Sequence, residues 1–435
     1  MLLASFDSLL LREGIPSVPG ELHPLGNSGA LIAYPQSEEQ IAAILRYAHD
    51  QGLKVIPTGR GTKRGFGGIE EKADLLLSLA EYRGIVEYSE GDLTMTVKAG
   101  TTMKEIQQFL SENRQMLPLD PAWPEDATIG GVIAANDSGP KRCRYGSARD
   151  LVIGMRIVYP DGKILRTGGK VVKNVAGYDM NKLFIGSMGT LAVMSEVTLK
   201  LRPKPKCERL VLLSFPESML SSIPSFVTAL LDSTNEPVSI EMLNPALHNH
   251  CNGEEGFGLA ITFADMEKAV LCQIEWIKNR VPQGTRIRVL SEEDTVKWWE
   301  MFSRISPNGT QAELQPVLGL KLGSKNRDVF EIVSFCDELG RKRQLVVFCH
   351  GGAGHGISRV FIRGHEEELV QCTEEIRRFA QLKGGYAVVQ HASLALRQQV
   401  EVWGEQPAYF SLLEGIKKAI DPHRVLNPKR FVGGI

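Results

Sequence analysis

The sequence lacks the motifs that mark several common classes of protein. Its seven cysteines form no Cys-x-x-Cys pair, which excludes an iron–sulfur cluster or zinc ribbon built on that motif, and their scatter is typical of a reducing compartment. No run of about eighteen apolar residues occurs, so we predict no membrane span. The formal net charge of -1 gives no general attraction to nucleic acid. These absences favour a cytoplasmic protein, or one peripheral at the inner face of the membrane, that binds no nucleic acid.

The length of the chain and a change in its local sequence pattern near residue 205 predict the domain organisation. A chain of 435 residues is too long for one ordinary core, so we expect two domains or three. Glycine-rich loops precede Pro203–Pro205, whereas strands alternating with amphipathic helices follow it, which predicts an α+β protein. The predicted parts are an N-terminal arm (1–27), a first domain (28–205), an α+β second domain (206–400) and a C-terminal segment that packs back toward the first domain (401–435).

A glycine-rich stretch follows a predicted strand and reads VIPTGRGTKRGFGG, from Val55 to Gly68. It is not a P-loop, because the chain contains no GxxxxGK string followed by Ser or Thr. It is not a Rossmann fingerprint, since no helix is predicted to begin there and direct its dipole at a phosphate. Two interpretations remain: a nest of backbone N–H groups around a pyrophosphate, and a surface hairpin with a basic tip.

Two further clusters of small residues favour the nest. Thr128–Gly131, Ala134–Asn136 and Gly139 lie in a long stretch with little regular pattern, and Gly186–Thr190 precedes a predicted strand. Glycine is used where a backbone approaches a ligand closely, and long loops in compact domains are usually functional. Three such clusters in one domain predict a nucleotide-type ligand.

Four stretches of this chain match a known family: PTGRGTKRGFGG, LDPAWPEDATIGGVIAANDSGP, KNVAGYDMNKLFIGSMGTLAVMSEVTLKL and DPHRVLNPKRF. They resemble the FAD-binding type-4 oxidases, the vanillyl-alcohol-oxidase-like flavoproteins. A fifth, RYGSARDLVIGMRIVYPDGKILRTGGKVVKNVAGYD, is similar to the FAD-binding E subunits of bacterial glycolate oxidases, which act with D and F subunits. The resemblance implies a PCMH-type two-subdomain FAD-binding domain (28–205), followed by an α+β cap domain with an antiparallel sheet (206–400).

The same resemblance implies a set of FAD-binding residues. Those around the pyrophosphate would be Pro57, Gly59, Arg60, Gly61, Thr62, Gly65, Gly67 and Gly68. Those toward the ribityl and isoalloxazine end would be Pro121, Thr128, Gly130, Gly131, Ala134, Asn136 and Gly139. Gly189 and Val193 would lie near the adenine. Some relatives attach FAD through a histidine in the first glycine loop; none lies in Val55–Gly68, so we expect noncovalent FAD.

Catalytic relatives carry an HxGDGNxH motif and a later Glu-His-Gly. At the first place this chain reads CHGGAGHGISRV, so Ala353 replaces the aspartate and Ile357 replaces the second histidine. At the second place glutamine precedes the histidine. This departure disfavours a bound metal ion, and we predict none. The candidate catalytic residues are His350, His355 and His391, and the alternative is that all three are ordinary histidines of the fold.

Three functions stay open on these residues. The leading one is an FAD-binding subunit of a glycolate oxidase complex, with a catalytic flavoprotein subunit and an iron–sulfur subunit as partners and a small 2-hydroxy acid as the substrate of the complex. The second is a self-sufficient FAD-dependent dehydrogenase of another hydroxy acid or alcohol. The third is a noncatalytic scaffold, which has no need of bare backbone in the glycine loops.

Overall fold

The computed structural model describes residues 2–169, 178–311 and 317–435. The first five residues of the family-like stretch that begins KNVAGYDMNK, residues 173–177, therefore lie outside the described residues. Two sheets organise the chain up to residue 205. A four-stranded sheet has the order Ser17–Pro19, Ser28–Ala33, Lys72–Ser78, Val55–Thr58, and its last three strands are parallel. A five-stranded antiparallel sheet has the order Ile85–Ser89, Thr94–Lys98, Val193–Lys200, Val152–Val158, Ile164–Gly168.

A second, larger sheet system follows residue 205. Eight antiparallel strands run in the order Arg286–Val289, Cys207–Phe215, Phe257–Asp265, Ser239–Leu243, Val347–Gly352, Ile357–Arg363, Val317–Gly323, Tyr386–His391. Short strands Gln115–Met116 and Arg202–Pro203 pair with each other near the junction. The expected mixed α+β class, with an antiparallel sheet in its second part, is confirmed.

Helices cover both systems of sheets. The α-helices are Leu2–Arg12, Glu38–Gln51, Met103–Glu112, Ile129–Ala134, Arg142–Tyr145, Ala148–Leu151, Asn181–Phe184, Ile223–Leu231, Pro245–Asn252, Glu267–Arg280, Glu292–Phe302, Val329–Arg343, Glu366–Leu382, Leu394–Gln399 and Phe410–Ile420, and the 3₁₀ helices are Glu217–Ser222, Asn326–Asp328 and Val432–Gly434. Ser37 and Thr102 cap two of them as their side chains accept N–H bonds of the first turn. In the residues described, no helix combines the length and apolar character needed to cross a membrane.

Two main cores divide the buried apolar residues. One contains residues from Phe6 to Leu201 together with Val425 and Leu426. The other contains residues from Cys207 to Val402, between the eight-stranded sheet and its helices. A small third cluster, around the helix Glu292–Phe302, packs on other strand residues of that sheet.

The C-terminal segment returns to the four-stranded sheet. Leu426 forms a parallel bridge with Val55, so the segment extends the sheet beside the strand that leads into the glycine loop. The ammonium group of Lys417 is buried and holds this return, since it donates to Asp421 Oδ2 (2.7 Å) and to the carbonyl oxygens of Thr190 (2.7 Å) and Leu426 (3.1 Å). A buried charge needs such a full set of partners.

Candidate active site

A cavity lies where the glycine loop, the helix Ile129–Ala134 and the C-terminal segment meet. Most of the predicted cofactor residues line it: Pro57, Gly59, Arg60, Gly61, Thr62, Thr128, Gly130, Gly131, Ala134, Gly189 and Val193. Added side chains would not fit at several of these glycines. A Cβ on Gly130 would lie 2.8 Å from Cβ of Ala99, and one on Gly59 would collide with the Thr128 side chain. The small residues of three sequence clusters thus form one concave surface.

The glycine loop presents its backbone to this cavity. The N–H groups of Arg60, Gly61, Thr62 and Lys63 donate to no atom of the described residues. Gly61 has φ +91°, a conformation that L side chains rarely adopt, and the nearest atom to an added Cβ would be Nη2 of Arg64 at 3.6 Å. Successive free N–H groups with a left-handed glycine are the backbone arrangement of known anion-binding concavities. No helix begins in this loop, as the sequence predicts.

Six predicted cofactor residues do not line this cavity, and four of them, Gly65, Gly67, Gly68 and Asn136, line neither this cavity nor the larger one described below. Added Cβ atoms on Gly67 and Gly68 would collide with Arg430 and Asn27, and one on Gly65 would lie 2.9 Å from Nδ1 of His391. These three glycines therefore allow close packing of protein against protein. Asn136 does not line the cavity either, and its buried Oδ1 has no hydrogen-bond partner among the described residues.

The C-terminal segment supplies two cavity residues that sequence reasoning did not assign. Asn427 donates to the carbonyl oxygen of Met188 (2.7 Å), and Arg430 donates to those of Phe66 (3.1 Å) and Lys63 (3.0 Å). Burial, with Arg397 and Arg64 nearby, lowers the pKa of Arg430 to about 9. The only sequence signal for these two residues was the family-like motif LNPKRF, in which Asn427 supplies an amide and Arg430 a guanidinium to the cavity lining.

A larger cavity, of about 640 Å³, is lined by residues from both sides of the chain's junction at residue 205. Thr62 and Lys63 line both cavities, so the glycine loop joins them. The predicted residues Pro121 and Gly139 lie here rather than in the first cavity, together with His350 and His391. Its volume is within the range of small-molecule sites, roughly 300–1,000 Å³. Trp299 also lines it, whereas its neighbour Trp298 is buried in the core under the helix Glu292–Phe302.

Three cations surround one buried carboxylate at the junction of the cavities. Asp137 is 2% exposed and accepts from Nζ of Lys63 (2.8 Å) and Nη2 of Arg359 (3.1 Å). Burial raises the pKa of Asp137, but Lys63 and Arg359 outweigh burial and hold it well below its usual range. Lys321 faces Arg359 on the neighbouring strand and has no ion pair with a described residue. At Asp137 itself three cations therefore face one carboxylate, a local arrangement that suits a carboxylate ligand.

We expect the affinity for an anion to depend on pH through the protonation of Lys321. Burial, followed by the charge of Arg359, lowers the pKa of Lys321 to about 8. Below that pH the ammonium attracts an anion held at Arg359, and above it the attraction is lost. We expect calorimetry with oxalate to show affinity falling by about tenfold, or ~1.4 kcal/mol, as pH rises through 8. Lys321→Met should remove this dependence and the exposed Lys325→Met should keep it; an unchanged profile in Lys321→Met would contradict the assignment.

The three candidate histidines occupy different surroundings. Nδ1 of His350 lies 2.7 Å from Oε2 of Glu241, and Nε2 of His355 lies 3.4 Å from Oε1 of the same carboxylate. Burial raises the pKa of Glu241, but the hydrogen bond from His350 and the nearby ring of His355 outweigh burial and lower it to about 2. His391 lies against the glycine loop, where the Ala392 N–H donates to the carbonyl oxygen of Gly65. The described residues contain no group of three with the arrangement of a metal site.

The first cavity fits the cofactor that the sequence resemblance implies. A pyrophosphate needs several N–H donors and no opposing carboxylate, and residues 60–63 offer free N–H groups beside basic side chains. The apolar residues Ala192, Val193 and Met194 line the same cavity and suit an aromatic ring. The arrangement therefore fits a flavin dinucleotide that extends from this cavity past Lys63 toward the larger one.

Comparison with known proteins agrees with this geometry. A family model described as FAD binding domain matches residues 29–168. Glycolate oxidase subunit GlcD of Bacillus subtilis is 27% identical over 420 residues, which cover 92% of this chain and 88% of that protein. Subunit GlcE of Escherichia coli is 45% identical over 126 residues, 29% of this chain and 36% of that protein. The solved 4-ethylphenol oxidase of Gulosibacter chungangensis has a TM-score of 0.77 at 16% identity, covering 98% of this chain and 96% of that one, and shows the same fold.

Proposed function

Because this chain belongs to the FAD-binding type-4, PCMH-type flavoproteins, we propose that it binds FAD noncovalently and oxidises the CH–OH group of a small 2-hydroxy acid. The bound flavin would supply hydride acceptance. The N–H groups of residues 60–63 would hold its pyrophosphate, and Gly189 and Val193 would lie at its adenine. Arg359 would attract the substrate carboxylate, while the cap domain would exclude bulk water from the reacting atoms.

One observation supports this function above the others: the glycine loop with its free N–H groups opens into a cavity of substrate size, where Lys63 and Arg359 lie beside Asp137. A scaffold would need neither the free N–H groups nor a second cavity of this size. A nucleotide-binding module without chemistry would need the first cavity but not the second. Oxidation of a substrate by the isoalloxazine ring of a flavin requires a cofactor cavity that connects to a substrate cavity, and the two cavities here connect at Lys63.

We also propose that the chain acts as the FAD-binding subunit of a glycolate oxidase complex in the cytoplasm or at the inner face of the membrane. The segment that is 45% identical to subunit GlcE supports this assignment. Its partners would be a second flavoprotein and an iron–sulfur subunit, since the chain itself carries no Cys-x-x-Cys motif. A pure electron relay is the second candidate, and the altered histidine motif around Ala353 and Ile357 favours it.

An anaerobic spectrum tests these proposals. The purified chain is expected to show flavin absorbance that trichloroacetic acid releases from the protein, as noncovalent binding requires. Addition of glycolate or lactate should bleach that absorbance with one flavin reduced per chain. If the flavin stays oxidised with every 2-hydroxy acid, direct oxidation by this chain is contradicted and the electron-relay function is favoured. Absence of flavin, even after reconstitution with FAD, would contradict the proposal itself.

A further inference from the structure

A buried carboxylate holds a histidine at the wall of the larger cavity. Glu241 is 1% exposed, and its strand Ser239–Leu243 pairs with the strand Val347–Gly352 that carries His350. Phe302 packs on the His350 ring edge to face, with ring centroids 4.8 Å apart and planes at 69°. The ring lines the cavity. Two contacts thus fix the ring before any substrate binds, which is the arrangement that preorganised catalysis needs.

The hydrogen bonds determine which nitrogen of each ring carries a proton. Glu241 is ionised, so it can only accept, and His350 must donate from Nδ1. Nδ1 of His355 accepts from the Ile357 N–H (3.2 Å), so the proton of that ring is on Nε2, 3.4 Å from Glu241. Nε2 of His350 has no hydrogen-bond partner among the described residues. It therefore carries a lone pair on the far side of the ring from Glu241.

The charges around His350 keep its ring neutral. Burial is the largest cause of its lowered pKa, and Arg359 and His355 add to burial, while the hydrogen bond and charge of Glu241 oppose it. Arg359 stands directly opposite His350 on the next strand. A neutral histidine beside a guanidinium can accept a proton near a bound carboxylate.

We propose that Nε2 of His350 is the base that takes the hydroxyl proton of the substrate, and that Glu241 and His355 are residues that position it. The inference rests on the proposed function. The substrate O–H bond breaks and its proton goes to Nε2, while the adjacent C–H bond breaks and its electron pair leaves as hydride to the flavin. The carbon–oxygen bond becomes double, which yields a 2-oxo acid. The imidazolium then releases its proton to solvent.

Glu241→Gln tests this network without removing the histidine. The Gln oxygen should accept from His355, whose Nε2 proton is fixed by the Ile357 N–H, so the Gln NH₂ should face Nδ1 of His350. His350 must then accept at Nδ1 and carry its proton on Nε2, where it blocks the base. We expect nitrogen NMR of ¹⁵N-histidine-labelled holoprotein to show this exchange of tautomer. The anaerobic rate of flavin reduction by glycolate or lactate should fall on the order of 10²–10⁴-fold.

A double variant and a control make the test specific. Glu241→Gln with His355→Leu frees the Gln oxygen, so it should restore the Nδ1-protonated tautomer and part of the rate. The exposed Glu255→Gln should change neither. If wild-type flavin is reduced and Glu241→Gln reduces its flavin at the same rate, the assignment of His350 as the base is wrong, while the proposed function stands. A wild-type flavin that no 2-hydroxy acid reduces would overturn the proposed function, and the base with it.

Discussion

Gly61→Val should fold and lose its flavin. Gly61 has φ +91° and lines the first cavity among four free N–H groups. A valine there would force the loop out of this conformation, at about 1–2 kcal/mol for the left-handed backbone, and would project its methyl groups into the space for the pyrophosphate. Each 1.4 kcal/mol of lost binding is about tenfold in affinity. We expect flavin absorbance per chain to fall at least about tenfold while the circular dichroism spectrum stays unchanged.

Gly52→Val separates loss of the ligand from strain in the backbone. Gly52 also has a positive φ, +68°, and an added Cβ there would meet nothing within 4 Å. It ends a helix on the surface, away from both cavities. This variant should show a similar loss of stability but full flavin content. If both variants keep their flavin, the glycine loop does not bind the pyrophosphate, and the cofactor site must be sought elsewhere in the chain.

Local patterns in the sequence indicate several of the strands and helices. The dipeptide Asp161–Gly162, a common hairpin turn, joins two paired antiparallel strands. The alternating apolar residues of LTMTVKAG mark a strand, which the structure places at Thr94–Lys98. The stretch from 118 to 150, expected to have little regular structure, instead contains three short helices. These helices have four to six residues, too few to show a helical period. The helix Glu292–Phe302 was also missed, although Ser291 and the following acidic residues mark its start.

The site was less accessible to sequence reasoning because its contacts join distant parts of the chain. Residues that need bare backbone are visible as glycines, so the loop around Gly61 could be predicted. Glu241 and His350 are 109 positions apart and meet only because their strands are neighbours. Asp137 and Arg359 are 222 positions apart. Nothing in the local sequence distinguishes Glu241 from a solvated glutamate, since its burial comes from the sheet around it.

Of the variants proposed, Asp137→Asn should cause the largest loss in the free energy of unfolding. The substitution leaves Lys63 and Arg359, whose side chains are 24% and 13% exposed, without their shared counter-ion and close to Lys321. Removal of one partner from a buried ion pair costs about 3–5 kcal/mol, because the remaining charge stays desolvated. We expect chemical unfolding of the apoprotein to show a loss of this size at neutral pH. The exposed Asp232→Asn should stay within about 0.5 kcal/mol of wild type.

The pH dependence and a second substitution should identify the cause as electrostatic. Because the pKa of Asp137 is lowered on folding, its stabilisation is present above the unfolded pKa near ~4 and is lost as pH falls through the folded value. The deficit of Asp137→Asn should therefore shrink in acid. Lys63→Met, added to Asp137→Asn, removes one of the unpaired cations and should recover part of the loss. A deficit that is constant with pH and unaffected by Lys63→Met would instead indicate a packing defect. Recovery would show that the loss is electrostatic, because Asp137 is the carboxylate that neutralises both Lys63 of the glycine loop and Arg359 of the eight-stranded sheet.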